Sequence, residues 1–223
     1  MKASQVRTGT QSILLGAVEA AAVLALLVFY ALGRLPFPIV PLLMIAWISL
    51  RLRGQGWRDI GLRRPSRWLP TICWAVLGAG AYQLLDILFV VPLLESVAGQ
   101  EIDLSQFEGL RRNLPALIGS LAVSWTAAAV GEELLFRGYA FHRIRGLVQK
   151  DGLGKAVSLA ITAVVFGAVH AYQGPVGVAD NVLAGLLLGG LYLGLGGNLW
   201  GPILAHGFMD TIGFLILYAG LYG

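Results

Sequence analysis

Two adjacent glutamates and an arginine lie in GEELLFRGY, residues 131–139, at the end of LPALIGSLAVSWTAAAV, a stretch otherwise suited to lipid. A charged side chain at the centre of a bilayer costs at least about 2.5–3.5 kcal/mol on insertion scales, so such groups are rare there and are paired or put to use. Glu133 and Arg137 are four residues apart, hence on one face of a helix and able to pair. Glu132 points about 100° away. One glutamate is thus neutralised locally, while the other is left free to act as a general base. A purely structural ion cluster explains Glu133 well and Glu132 poorly.

Two of the three histidines also fall in apolar segments, His170 in VVFGAVHAY and His206 in GPILAHGFMD. A lone membrane histidine commonly serves as a helix-to-helix hydrogen bond, but two of them beside a glutamate pair widen the chemistry available. Asp210 follows His206 by one helical turn, so its carboxylate can hold the imidazole in one tautomer. A local structural pair is the plain alternative. His142, in a basic loop, reads as solvated. Attack of water on a peptide carbonyl needs a base, an oxyanion stabiliser and a place without bulk solvent. Glutamate, histidine and the bilayer interior supply these. Other routes are poorly served, since the chain has no HExxH and no GxSxG, and Cys73 is its only cysteine. Gly154-Lys155 is not a phosphate loop, because Gln149 stands where a Walker motif needs its first glycine.

The elements that must position these residues are spanning helices. Hydrophobic residues make up 57% of the 223 and charged ones only 13%, with a mean hydropathy of +0.75, against about 25% charged in soluble proteins. The expected fold is all-α, a polytopic transmembrane bundle of about seven spans, with six to eight as the range. Apolar runs place them at 12–33, 35–50, 69–94, 114–141, 156–172, 177–196 and 198–221. The first follows Lys2 and Arg7 as a signal peptide would, yet it is too long for a cleaved segment and reads as a retained anchor. Residues 1–223 read as a single integral membrane domain without internal repeat. In the sixth span, Gly185 with Gly189 and Gly190 with Gly194 form small-xxx-small pairs that let helices approach closely.

The pI near 9.5 does not imply nucleic acid, because the basic residues lie in loops between spans. RLRGQGWRDIGLRRPSRW carries six arginines against Asp59, and HRIRGLVQKDGLGK is also basic. Both belong on the cytoplasmic side. ESVAGQEIDLSQFEGLRRN carries four acids against Arg111 and Arg112, and a loop around Asp180 has no Lys or Arg, which puts both on the opposite side. A cytoplasmic N-terminus and an outer C-terminus satisfy these assignments, in a membrane expected to be a prokaryotic plasma membrane.

Three motifs then line up. EELLFR fits Glu-Glu-x-x-x-Arg, FGAVH fits Phe-x-x-x-His with Phe166 and His170, and NLWGPILAHGFMD fits an Asn-x7-His-x3-Asn/Asp element with Asn198, His206 and Asp210. In this the chain resembles the CPBP family, the CAAX-protease and bacteriocin-processing group of intramembrane endopeptidases. The resemblance covers residues 114–215, as a catalytic core, with a weaker echo in GWRDIGLRRP. It implies that Glu132 activates water with help from His170, that His206 stabilises the oxyanion, and that Glu133 and Arg137 support them, along with Phe166 and Asn198. Prenyl proteases of the family have asparagine where Asp210 stands, so here an ionised carboxylate would orient His206 or a protonated one would donate to the oxyanion. The resemblance also implies a cytoplasm-facing cavity, a membrane-associated peptide or protein substrate, and no soluble cofactor. Zinc stays open as an alternative, with His170, His206 and Glu132 as ligands, but the motif spacing is unlike that of zincins and favours the metal-free route. A competing function is a non-catalytic membrane partner or bacteriocin-immunity factor that binds through the same cavity. A proton-coupled carrier would show repeat symmetry, which the sequence lacks.

Overall fold

The computed structural model describes Gly16, Val18, Glu19 and residues 38–148 and 150–221, and among them every regular element is helical. The chain divides into two compact units, residues 1–56 and 57–223. In the first unit, α1 (Ile39–Leu52) has 14 residues. At about 1.5 Å per residue it falls short of the roughly 30 Å of a hydrocarbon core, so the expected second span is here a shorter apolar helix. Arg53, just past its end, donates to Ser49 Oγ at 2.6 Å and pairs with Glu19. The expected first span, 12–33, lies outside the described residues apart from Gly16, Val18 and Glu19.

The second unit holds five helices long and apolar enough to cross a membrane: Trp68–Ala98, Leu114–Arg145, Asp151–Ala168, Ala171–Gly194 and Trp200–Ala219. They correspond to the third to seventh expected spans. Outward-facing apolar residues such as Leu69, Leu77, Leu88 and Phe89, all more than half exposed, require a hydrocarbon surrounding. Two boundaries differ from expectation. The fifth span begins at Asp151, earlier than residue 156, and Asp180 lies inside the sixth helix, so no loop surrounds it.

The first two of these spans change winding along their length. Helix α2 (Trp68–Leu85) passes through a π-wound turn, Asp86–Val90, into α3 (Val91–Ala98). Pro92 follows that turn, and its missing N–H and bulky ring disfavour an ordinary α-helical turn just before it. Helix α4 (Leu114–Val123) continues into π-wound Ser124–Glu132 and, after Glu133, Leu134–Ala140, ending in α5 (Phe141–Arg145). Thr126 Oγ1 donates to Ala122 O at 2.6 Å, a side-chain bond that competes with the α-helical ladder where the change begins. π-winding is rare and concentrates at functional sites.

Helix α6 (Asp151–Ala168) packs most extensively on α7 (Gly174–Gly194). Missing side chains allow it: a Cβ on Gly185 would come within 2.9 Å of Ala163 Cα, and one on Gly167 within 2.5 Å of Val178 O. Gly190 and Gly194 face open space, so of the two expected glycine pairs only Gly185 with Gly189 marks a close approach. Helix α8 (Trp200–Ala219) packs on α2. The segment 57–63 clips onto the turn before it: Leu199 N donates to Gly61 O at 3.0 Å, Asn198 Nδ2 to Arg63 O at 2.8 Å, and Arg63 Nη2 to Gly196 O at 2.9 Å. Gly61 has φ +112°, and a Cβ there would sit 2.6 Å from Gly197 O. Only glycine fits that place without strain.

Candidate active site

Glu133 and Arg137 are both fully buried in the π-wound part of the second span, and Arg137 Nη1 donates to Glu133 Oε1 at 2.6 Å. A buried ion pair holds only when further contacts replace the water each ion has lost. Arg137 finds two. Its Nη2 donates to Gly185 O of α7 at 3.1 Å, within reach because Gly185 has no side chain, and its guanidinium lies 4.4 Å from the centre of the Phe166 ring. Glu133 finds one more, since its Oε1 accepts from His206 Nδ1 at 3.0 Å.

His206, on α8, is therefore flanked by acids at both nitrogens. Its Nε2 lies 3.7 Å from Asp210 Oδ2, which also accepts from Ser124 Oγ at 2.6 Å. Two carboxylates aimed at one ring favour a proton on each nitrogen, the form that can donate in both directions. The Trp125 ring lies over Gly207, where a Cβ would meet it at 2.5 Å, and Trp125 Nε1 donates to Thr211 Oγ1 at 3.1 Å. Those two contacts hold the π-wound segment against α8 at the level of His206 and Asp210.

His170 sits two residues beyond the end of α6. Its Nδ1 is 2.7 Å from Phe166 O, a pairing that requires the proton on Nδ1 and leaves Nε2 as the acceptor. The Phe166 ring is the hub of the site. It meets Phe136 edge-on at 5.3 Å, His206 at 5.9 Å and His170 at 4.9 Å. Because α6 runs antiparallel to the second span and Phe166 is level with Phe136, His170, one turn further along α6, arrives level with Glu132, about one turn before Phe136.

Glu132 keeps part of its surface accessible, yet its Oε2 is buried without a hydrogen-bond partner among the described residues. His206, His170, Asp210 and Glu133 are its ionisable neighbours. The structure thus brings together Glu132, Glu133, Arg137, Phe166, His170, His206 and Asp210. Asn198 stands apart, accepting from Trp200 N at 2.9 Å and holding the Arg63 carbonyl, as a brace for the turn. His142 is half-buried and not simply solvated, with Nδ1 donating to Gly138 O at 2.8 Å. Among the described residues, no three His, Cys, Asp or Glu side chains are placed to hold a metal ion, so His170, His206 and Glu132 do not form a ready ligand trio. Sequence reasoning passed over Ser124, whose signal was a hydroxyl two turns before Glu132 in an apolar run. It also passed over Gly185 as the carbonyl that holds Arg137.

No curated protein and no solved structure matches the chain. Residues 114–212, which carry every member of this cluster, match the family model described as type II CAAX prenyl endopeptidase, Rce1-like, and so the part of the chain that builds the site is similar to that family, in agreement with the CPBP resemblance.

Proposed function

We propose that the protein is an intramembrane endopeptidase that hydrolyses a membrane-associated peptide or protein, with Glu132 as the group that activates water. The observation that carries this reading is the division between the two glutamates. Each keeps a buried Oε2 without a hydrogen-bond partner among the described residues, but Glu133 is committed through Oε1 to Arg137 and His206, whereas Glu132 has no ion pair among the described residues and lies near two imidazoles. Water gives one proton to Glu132 as its oxygen bonds to the peptide carbonyl carbon, and the negative charge gathers on the carbonyl oxygen. His206, charged between two acids, stabilises that oxyanion. His170 Nε2 accepts the second water hydrogen and fixes the lone pair for attack. On collapse the C–N bond breaks, and Glu132 returns its proton to the departing amine.

Asp210 orients His206 in this scheme, with Ser124 Oγ occupying one of its lone pairs. The route needs no metal ion. The six arginines of residues 51–67 and the basic loop 142–155 support a cytoplasmic face for both loops and, with it, a cytoplasmic N-terminus. The test compares peptide profiles by mass spectrometry from membranes holding wild type or Glu132→Gln. The amide keeps the side chain's size but cannot take a proton, so cleavage should fall by about 10²–10⁴-fold with folded yield unchanged. Cleavage retained in the variant would remove Glu132 from the role of base.

A further inference from the structure

The end of the second unit opposite the basic loop 142–155 carries a cavity of about 810 Å³ that no part of the hydrolytic scheme uses. It lies between the π-wound turn with α3, the 3₁₀-wound segment Ser105–Leu110, and the last turn of α8 with the residues after it. One wall is apolar, with Ile87, Val91, Phe107 and Leu217, and Phe107 is held ring to ring by Phe214 of α8 at 5.5 Å. Leu88 and Leu93, beside that wall on the same helical rod, are more than half exposed, so the cavity borders the hydrocarbon-facing surface. The other wall is charged, with Glu95, Glu101, Glu108 and Arg111. Glu95 braces the lining itself, since its Oε1 accepts from Ile102 N at 3.0 Å. Glu101, Glu108 and Arg111 are exposed and have no ion-pair partner among the described residues. Arg111 rests against the end of α8, where a Cβ on Gly220 would fall 2.8 Å from its Nε, and the next residue, Arg112, donates its N–H to Tyr218 O at 3.0 Å.

Glu108 and Arg111 thus line one cavity three residues apart without pairing with each other, an arrangement that suits a ligand carrying both signs of charge on separate atoms. We propose that the cavity binds a phospholipid with a primary-amine headgroup, of the phosphatidylethanolamine class. Its ammonium lies at the glutamates, its phosphate at Arg111, and the start of its acyl chains on the apolar wall. The chemistry selects against other occupants. Three acids against one arginine repel a head that carries only negative charge. A choline head has no N–H to give to a carboxylate, whereas an ethanolamine ammonium has three. A soluble amine lacks both the phosphate for Arg111 and the chains for the apolar wall. The volume falls in the roughly 300–1,000 Å³ range of small-ligand sites, enough for the headgroup and glycerol while the tails run on along the lipid-facing surface.

Native mass spectrometry of the purified full-length chain tests this, with phosphatidylethanolamine and phosphatidylcholine of identical acyl chains offered in equal amounts in detergent. Wild type should retain the ethanolamine lipid over the choline lipid by about tenfold, the effect of one charge-assisted hydrogen bond. Glu101→Gln combined with Glu108→Gln should erase that preference. Arg111→Gln should lower the retention of both lipids alike, since both carry the phosphate. The three side chains are exposed and make no ion pair among the described residues, so both variants should keep the thermal transition of wild type. Equal retention of the two lipids by wild type would overturn recognition of the amine. A preference that survives in the glutamate variant, or retention unchanged in Arg111→Gln, would overturn this cavity as the place of binding. Tetralysine that binds wild type and not the glutamate variant, where no lipid preference is seen, would put a basic peptide in place of the lipid.

Discussion

The two polar groups buried between the spans are balanced in opposite ways. Around Glu133 the donors are a guanidinium and an imidazole, and Arg137 itself rests on a carbonyl and an aromatic face. Around Asp180 the donor is one tyrosine hydroxyl, with a second acid where the first group has a cation. A bilayer interior sets the same requirement for both, because neither can draw on bulk water. The first group meets it with permanent charge, which makes it rigid. The second meets it with the Tyr82 hydroxyl, a neutral donor that reaches Asp180 from another helix. That difference places the fixed framework of the site on Arg137.

The sharpest way to break this contrast is to remove the cation. Arg137→Met should strand Glu133 and cost about 3–5 kcal/mol, read as a lost or much lowered thermal transition in detergent. Glu133→Leu added to Arg137→Met should recover most of that stability, because an apolar pair of similar volume often replaces a buried ion pair at little cost. A double variant as unstable as Arg137→Met would mean that Glu133 matters chiefly through His206. Ser124→Ala is expected to cost less, about 1–2 kcal/mol, since the bond it removes is to a carboxyl group that is partly exposed. A fall in kcat beyond that stability loss would show Asp210 steering His206. The smallest expected effect is that of thorough chelation, which should leave activity unchanged, with metal analysis of the purified protein beside the assay. Activity lost on chelation and restored by stoichiometric zinc would move His170, His206 and Glu132 from proton chemistry to ligation.

Much of this site could be read from residue spacing alone. The Glu133–Arg137 pair follows from a separation of four, and the five long spans follow from runs of apolar residues. The π-winding from Ser124 to Ala140 could not be read, because it depends on a side-chain bond to the backbone and on the packing of Trp125 against Gly207. Nor could the bond from His206 to Glu133, which joins residues 73 apart in sequence. Asp180 misled for a different reason. One acid in a glycine-rich run resembles a loop, and only Tyr82 on a distant helix shows why it is tolerated inside one. The echo in GWRDIGLRRP had no evident purpose until its backbone proved to hold the turn before α8.

That clip sets an order on the making of the protein. Gly61 and Arg63 are synthesised early, but the groups that fill their carbonyls, Leu199 N–H and Asn198 Nδ2, come at the start of the last helix, 135 residues later in the case of Arg63 and Asn198. Contacts of such separation form late, since the intervening chain must be arranged first. A chain stalled before Asn198 would therefore leave the carbonyls of Gly61 and Arg63 without the partners that fill them in the finished molecule.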